Sequence, residues 1–249
     1  MEWIGVLIVS IIIVGIVVVL ICIALVKSTK TYDNNDIHYV QKNNAYEHFD
    51  FDQYEIQRFG AEGENYVADH LLGLVKHFNG VLFNDFCFED DDGFSSEIDH
   101  IVVTRGGIFV IETKTNKGTI QGNKDDDYWL CIKEIYQEDK TFKNPIKQNI
   151  GHINHLRKVF GNNCPKMESI VIFPIADLSS LECNGVYSLK GAIEYLKHRS
   201  LEAKYSEDFV KKASDKLMDI KNQYGISKEQ HIRNINKKLN WYDYKNLKI

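Results

Sequence analysis

Two runs of apolar, largely β-branched residues, Ile98 to Thr104 and Ile108 to Thr113, flank Arg105-Gly106-Gly107, and this pattern predicts a tight antiparallel hairpin. Alternation along a strand puts Glu97, Asp99, Ile101 and Val103 on one side of the first arm, and Ile108, Val110, Glu112 and Lys114 on one side of the second. With Arg105 and Gly106 as the loop, Thr104 faces Gly107, Val103 faces Ile108, Ile101 faces Val110, Asp99 faces Glu112 and Glu97 faces Lys114. Two apolar pairs are thus followed by two charged ones. Like charges directly opposite on a sheet destabilise it, so Asp99 against Glu112 calls for positive charge beyond the one Lys114 supplies. A divalent cation is the natural complement.

The rest of the pattern predicts helices and strands around this hairpin. Val67, Leu71, Leu74 and Phe78 recur at spacings of 4, 3 and 4, the stripe of an amphipathic helix over Glu62 to Phe78, with Glu64 on that stripe in its first turn. Val81 to Phe88, Gly118 to Gln121, Tyr128 to Ile132 and Met167 to Phe173 read as strands, the last apolar on both faces and so central in a sheet. Trp129 is expected in the core. Asn144-Pro145 opens a helix, asparagine as cap and proline in the first turn, with Ile146, Ile150, Ile153, Leu156, Arg157 and Phe160 as its stripe. Gln148 then falls nearly opposite the stripe. His152 and His155 share its side and read as a solvated polar face. Leu189 to Leu196 looks helical, and beyond Leu201 the pattern is helical with Phe209, Leu217 and Ile220 as packing positions.

Residues 4–26 are an almost unbroken run of Ile, Val and Leu, which as a helix rises about 34 Å and matches a bilayer core. Met1-Glu2 offers no basic leader region and no Ala-x-Ala site follows, so a spanning helix is preferred over a cleaved signal. Lys27 and Lys30 follow the run while only Glu2 precedes it, which places the remainder in the cytosol. The expected organisation is an N-terminus at 1–3, a transmembrane helix at 4–26, a polar linker at 27–44, a folded domain at 45–196 and a basic helical extension at 197–249.

Composition changes this picture in two places. The chain of 249 residues has a formal charge of −5, but residues 197–249 hold 13 basic and 7 acidic side chains, so the remainder is strongly acidic. Between Asp85 and Asp99 seven carboxylates occur with no base, and Glu89-Asp90-Asp91-Asp92 reads as a solvated loop. Asp125-Asp126-Asp127 points in three directions and reads as a turn. The five cysteines show no Cys-x-x-Cys pair, so neither a zinc site nor a disulfide framework is suggested, and a reducing compartment fits.

Four motifs in order, Gly60-Ala61-Glu62-Gly63-Glu64, Glu97-Ile98-Asp99-His100, Ile111-Glu112-Thr113-Lys114 and Asn144-Pro145-Ile146-Lys147-Gln148, resemble the nuclease-related domain family, NERD, of the PD-(D/E)XK nuclease superfamily. The likeness covers Phe59 to Leu178; Ile98 stands where that superfamily has its proline. The resemblance implies an α/β fold with a mixed central sheet of restriction-endonuclease-like αβββαβ type. It also implies a magnesium- or manganese-dependent nuclease acting on DNA. Asp99 and Glu112 would hold the ion, Glu64 would join them directly or through water, Lys114 would serve the attacking water and the phosphate, and Gln148 would complete the site. A cross-strand ion pair is the competing reading of Glu112 and Lys114, and a non-catalytic binding module of the same fold at the membrane is the competing reading of the domain.

Overall fold

The computed structural model describes the backbone of residues 53–133 and 137–246 and the side chains of residues 60–133 and 137–237. The expected membrane span at 4–26 and the linker at 27–44 lie outside the described residues. Among those described, no helix is long and apolar enough to cross a membrane.

Among the described residues the elements run α1 (Gln53–His77), β1 (Val81–Glu89), β2 (Ser95–Thr104), β3 (Gly107–Thr113), β4 (Thr119–Gln121), β5 (Tyr128–Ile132), β6 (Lys140–Lys143), α2 (Pro145–Phe160), β7 (Met167–Phe173), β8 (Val186–Ser188), α3 (Leu189–Glu202), α4 (Glu207–Tyr224) and α5 (Lys228–Asn246). A five-stranded mixed sheet has the order β1-β2-β3-β7-β8, antiparallel through β3 and parallel beyond it. Both of its faces are covered. Phe83, Phe86, Ile101, Val110 and Ile153 share one core with Val210, Leu217 and Ile220 of α4, while Val67, Leu71, Phe109, Ile111 and Ile170 share the other with Leu189 and Leu196 of α3. Every residue of β3 is buried, as expected of a strand lying between two layers. The segment after Leu196, expected as a basic extension, therefore supplies part of the same core.

Strands β4, β5 and β6 form a separate antiparallel sheet of three. Trp129 is buried as expected, clustered with Ile120 and Phe173, and its indole N–H donates to Asn123 O at 2.8 Å. The Asp125 to Asp127 stretch is the turn leading into β5, with Asp127 paired to Lys147.

The hairpin has the expected register, with Thr104 opposite Gly107, Val103 opposite Ile108 and Ile101 opposite Val110. Its turn packs on α3 so closely that a Cβ on Gly106 would lie 2.6 Å from the Arg199 carbonyl, which only glycine allows. The regular ladder ends at His100 and Ile111, one pair short of Asp99 and Glu112.

The side-chain alternation carries a correction. Ile98 shares a core with Ile101 and Val103, and Phe86 and Phe88 share that core with Phe83. Residues three apart share a strand face only where the alternation slips by one. The slip falls at Asp85, in the left-handed region with φ 48°, and at Asp99, the facing position missing from the β1–β2 ladder. Glu97 consequently does not share the face of Ile101 and Val103.

Helix α2 also differs from its expected stripe. Its buried positions are Pro145, Asn149, Ile153, Leu156 and Phe160, while Ile150 is exposed. Asn149 outcompetes Ile150 because its amide donates to Val110 O at 2.8 Å, Ser169 Oγ at 2.9 Å and Ile170 O at 3.1 Å, tying α2 to both β3 and β7. Replacing Asn149 with alanine removes these bonds inside the core and is expected to cost about 1–3 kcal/mol. A clear fall in the thermal midpoint followed by circular dichroism checks this; an unchanged midpoint contradicts it.

Candidate functional site

The splayed end of the hairpin collects the polar groups. Where the ladder would continue, the Asp99 carboxylate takes its place, Oδ2 accepting from the Thr113 backbone N–H at 2.7 Å. On its other side β3 is extended toward β7, Lys114 N donating to Ile172 O at 2.9 Å. Glu112 is buried, and its Oε1 lies 2.6 Å from Lys114 Nζ. The same ammonium donates to Gln148 Oε1 at 3.0 Å.

Gln148 reaches this point because the true stripe of α2 runs through Pro145 and Asn149, about 100° from where Ile146 and Ile150 would set it. The flank so turned inward also carries His152 and His155, which corrects their reading as a solvated face. His152 Nε2 stands 3.7 Å from Glu112 Oε2, and His155 Nε2 lies 3.2 Å from Asp90 Oδ2 with its Nδ1 2.7 Å from Ser96 Oγ. Asp90 is likewise no solvated loop residue. It is buried, accepts from Phe94 N and pairs with Lys158 at 2.7 Å. Burial opposes its charge, but these bonds outweigh the penalty and hold its carboxyl down at about 2.

Glu64 arrives from α1. The helix begins at Gln53, so Glu64 lies near its middle and not in its first turn. A Cβ on the preceding Gly63 would lie 2.1 Å from Thr115 Cγ2, so the missing side chain lets this part of the helix lie against the strand end. Glu64 is half-buried and within the field of Asp99, but its nearest cation is Lys228 of α5, at 3.6 Å. Lys228 also pairs with Glu97 and stands 3.9 Å from Asp85. Glu97, expected opposite Lys114, is thus paired elsewhere, a result of the slip at Asp99.

Of the five expected site residues, Asp99, Glu112, Lys114 and Gln148 converge, while Glu64 borders them and is drawn toward Lys228. Lys228, Glu97, His152, His155 and Asp90 were not expected. For Glu97 a signal existed: Phe83, Phe86, Phe88 and Ile98, Ile101, Val103 are spaced 3-then-2 and 3-then-2, a break in period two. For Lys228 there was none, since a lysine beginning a helix far along the chain says nothing about which acids it meets.

The electrostatics are uniform in sign. The Asp99 carboxyl is pushed well above its ordinary value by burial and by the charges of Glu112 and Glu64, against the Thr113 N–H and Lys114. Burial also raises Glu112 against the pull of Lys114, and raises Glu64 against that of Lys228. Two ammoniums therefore leave these acids short of positive charge. The donors are all oxygens, which suits Mg²⁺ or Mn²⁺. With Oδ2 of Asp99 bonded to Thr113 N–H and Oε1 of Glu112 to Lys114, Oδ1 of Asp99 and Oε2 of Glu112 remain for an ion, the latter facing His152 Nε2 at 3.7 Å. Among the described residues no group of three or more His, Cys, Asp or Glu is gathered around one point, so the fit is to an ion held by two carboxylates and water.

These acids make a testable demand on stability. Their folded-state values lie above the unfolded ones of about 4, so the metal-free fold is favoured below that pH and loses stability as pH rises through the raised values. His100 and His152, lowered to about 4 by burial, act oppositely, contributing stability above about 6.5 that is lost as pH falls through 4. The Asp99→Asn variant isolates the first effect. It is expected to melt higher than the parent at pH 7 without metal, by on the order of 1 kcal/mol, with the gain shrinking toward pH 4. A lower midpoint at pH 7 would sink this account.

Comparison with known proteins is consistent with these motifs. Residues 59–174 match the family described as "Nuclease-related domain". A Bacillus anthracis protein described as uncharacterized is 30% identical over 119 residues, 48% of this chain and 55% of that protein, so the chain spans about half the length of the curated relative it matches. No solved structure matches.

Proposed function

Residues 59–174 being a nuclease-related domain, we propose that this chain is a metal-dependent nuclease that hydrolyses phosphodiester bonds in DNA, with Asp99, Glu112 and Lys114 at its centre. The observation that carries the reading is the pair of acids at the splayed strand ends, both raised in pKa and each with one oxygen that makes no hydrogen bond among the described residues, that of Glu112 facing His152 Nε2 at 3.7 Å. Its order α1-β1-β2-β3-α2-β7 along a mixed sheet, with β4 to β6 inserted, also supports a restriction-endonuclease-like fold.

Asp99 and Glu112 would hold Mg²⁺ or Mn²⁺, which would supply a water of lowered pKa and relief of phosphate charge. The chain's own groups do the rest. Thr113 N–H fixes one oxygen of Asp99 and so sets the orientation of its carboxylate. Glu112 and Gln148 take two of the three N–H groups of Lys114, which orients the ammonium and leaves one donor for the attacking water or a non-bridging phosphate oxygen. Glu64, whose charge reaches both acids, would act on the ion through water. The hydrolysis then adds water at phosphorus and breaks one phosphorus–oxygen ester bond, the charge that develops on phosphate oxygens lying beside Lys114.

The purified full-length chain is expected to cut DNA with Mg²⁺ or Mn²⁺ and to stop with chelator. Lys114→Ala should lower the rate about 100-fold or more while metal binding persists, whereas Asp99→Asn should lose both. A preparation that binds no divalent ion and cuts neither DNA nor RNA refutes the enzyme reading and favours a binding module of the same fold.

We also place the chain at a membrane as a single-pass protein with its domain in the cytosol. The support is the apolar run at residues 4–26 and the lysines after it. Alkaline carbonate should leave it in the membrane pellet; release into the supernatant contradicts the anchor.

A further inference from the structure

Helix α5 lies beyond the matched domain, yet its first residue reaches the candidate site. Lys228 Nζ stands 3.6 Å from Glu64 Oε2 and 3.9 Å from Asp85 Oδ1 and is ion-paired with Glu97 Oε1. These three acids come from α1, β1 and β2, so one ammonium ties three elements together. Serine 227 caps the helix, its Oγ accepting from Gln230 N at 3.2 Å. A cation in the first turn opposes the helix dipole. The position of Lys228 is therefore explained by the acids it meets and not by the helix it begins.

The ammonium is also held in place. Gly225 bridges Phe88, Ile226 N donates to Cys87 O at 3.2 Å, His231 Nδ1 lies 2.9 Å from Ser95 Oγ and Asn234 Nδ2 donates to Glu89 Oε2 at 2.5 Å. These contacts run along β1 and the start of β2 on both sides of Lys228, so the lysine is delivered to a fixed point. Burial works against its charge, but the bond to Glu97 and the charges of Glu64, Glu97 and Asp85 raise its pKa all the same.

The acids are thereby divided. Lys228 takes Glu64, Glu97 and Asp85, and Oδ1 of Asp99 and Oε2 of Glu112 remain. A second ion about 3.5–4 Å from the first needs carboxylates beyond Asp99 and Glu112, and the acids whose charges reach that pair are Glu64 and Glu97, both on Lys228. We propose that Lys228 fills the place of a second cation, so that this site takes one divalent ion per chain instead of two. The inference rests on the metal-dependent reading above and deepens it: the last helix sets how many ions the site holds.

The test is Mn²⁺ binding to the full chain, counted by electron paramagnetic resonance and calorimetry. The parent and Lys228→Arg should bind one ion per chain. Lys228→Gln should bind two, and adding Glu97→Gln should return the count to one. The lysine side chain is 44% exposed, so glutamine should be accommodated; Lys228→Met, with the same expected gain, is the second variant, and melting curves verify folding. Two ions in the parent, or the parent's count in both Lys228→Gln and Lys228→Met, overturns the proposal. DNA cleavage is scored separately. A gained ion with no cleavage by the parent removes the nuclease reading and leaves the role of Lys228 standing, whereas cleavage by the parent with an unchanged count does the reverse.

Discussion

Asp99 and Glu112 stand in each other's field where β2 and β3 part, with Glu64 close enough to raise Asp99 further. Burying like charges together is costly in a medium that screens them poorly, and each acid here is less willing to ionise than it would be in water. The fold accepts this cost at one end of the sheet and offsets it with ammoniums brought from elsewhere. Lys114 comes from just past the end of β3, two residues after Glu112, and Lys228 from α5. What they leave uncompensated is the feature on which the functional reading depends.

Three local devices hold the arrangement. The alternation of β1 and β2 slips at Asp85 and Asp99, which ends the regular ladder and frees the Asp99 carboxylate to bond a backbone N–H in its place. Glycine 63 lets α1 lie against Thr115, so that Glu64 borders the strand ends. Asn149 pins the first turns of α2 to β3 and β7, and Gln148 thereby meets Lys114. Each device sits one or two residues from a site side chain, so the packing of the core and the placing of the site are the same interactions.

The helices after residue 206 connect this site to the rest of the chain. Leu217 and Ile220 of α4 are buried in the core that holds Ile101 and Val110, and α5 is tethered to β1 and β2 on either side of Lys228. A basic C-terminal region on an acidic domain is thus partly an internal matter: at Lys228 the opposite charges answer each other within the chain.

The hairpin register, the burial of Trp129, the asparagine cap of α2 and the convergence of Asp99, Glu112 and Lys114 were legible in the sequence, because strand alternation, turn chemistry and capping act over a few residues. Periodicity gives Ile153, Leu156 and Phe160 of the α2 stripe but puts Ile150 where Asn149 is buried, because an isoleucine usually wins such a position and only the carbonyls of Val110 and Ile170 make Asn149 the better occupant. His152, His155 and Asp90 read as solvated because the side chains they meet lie 40 or more residues away along the chain. The pairing of Glu64 and Glu97 with Lys228 was decided by tertiary structure alone. Charge attraction acts through space, and nothing in the spacing of residues 64, 97 and 228 along the chain encodes that the fold brings them within reach.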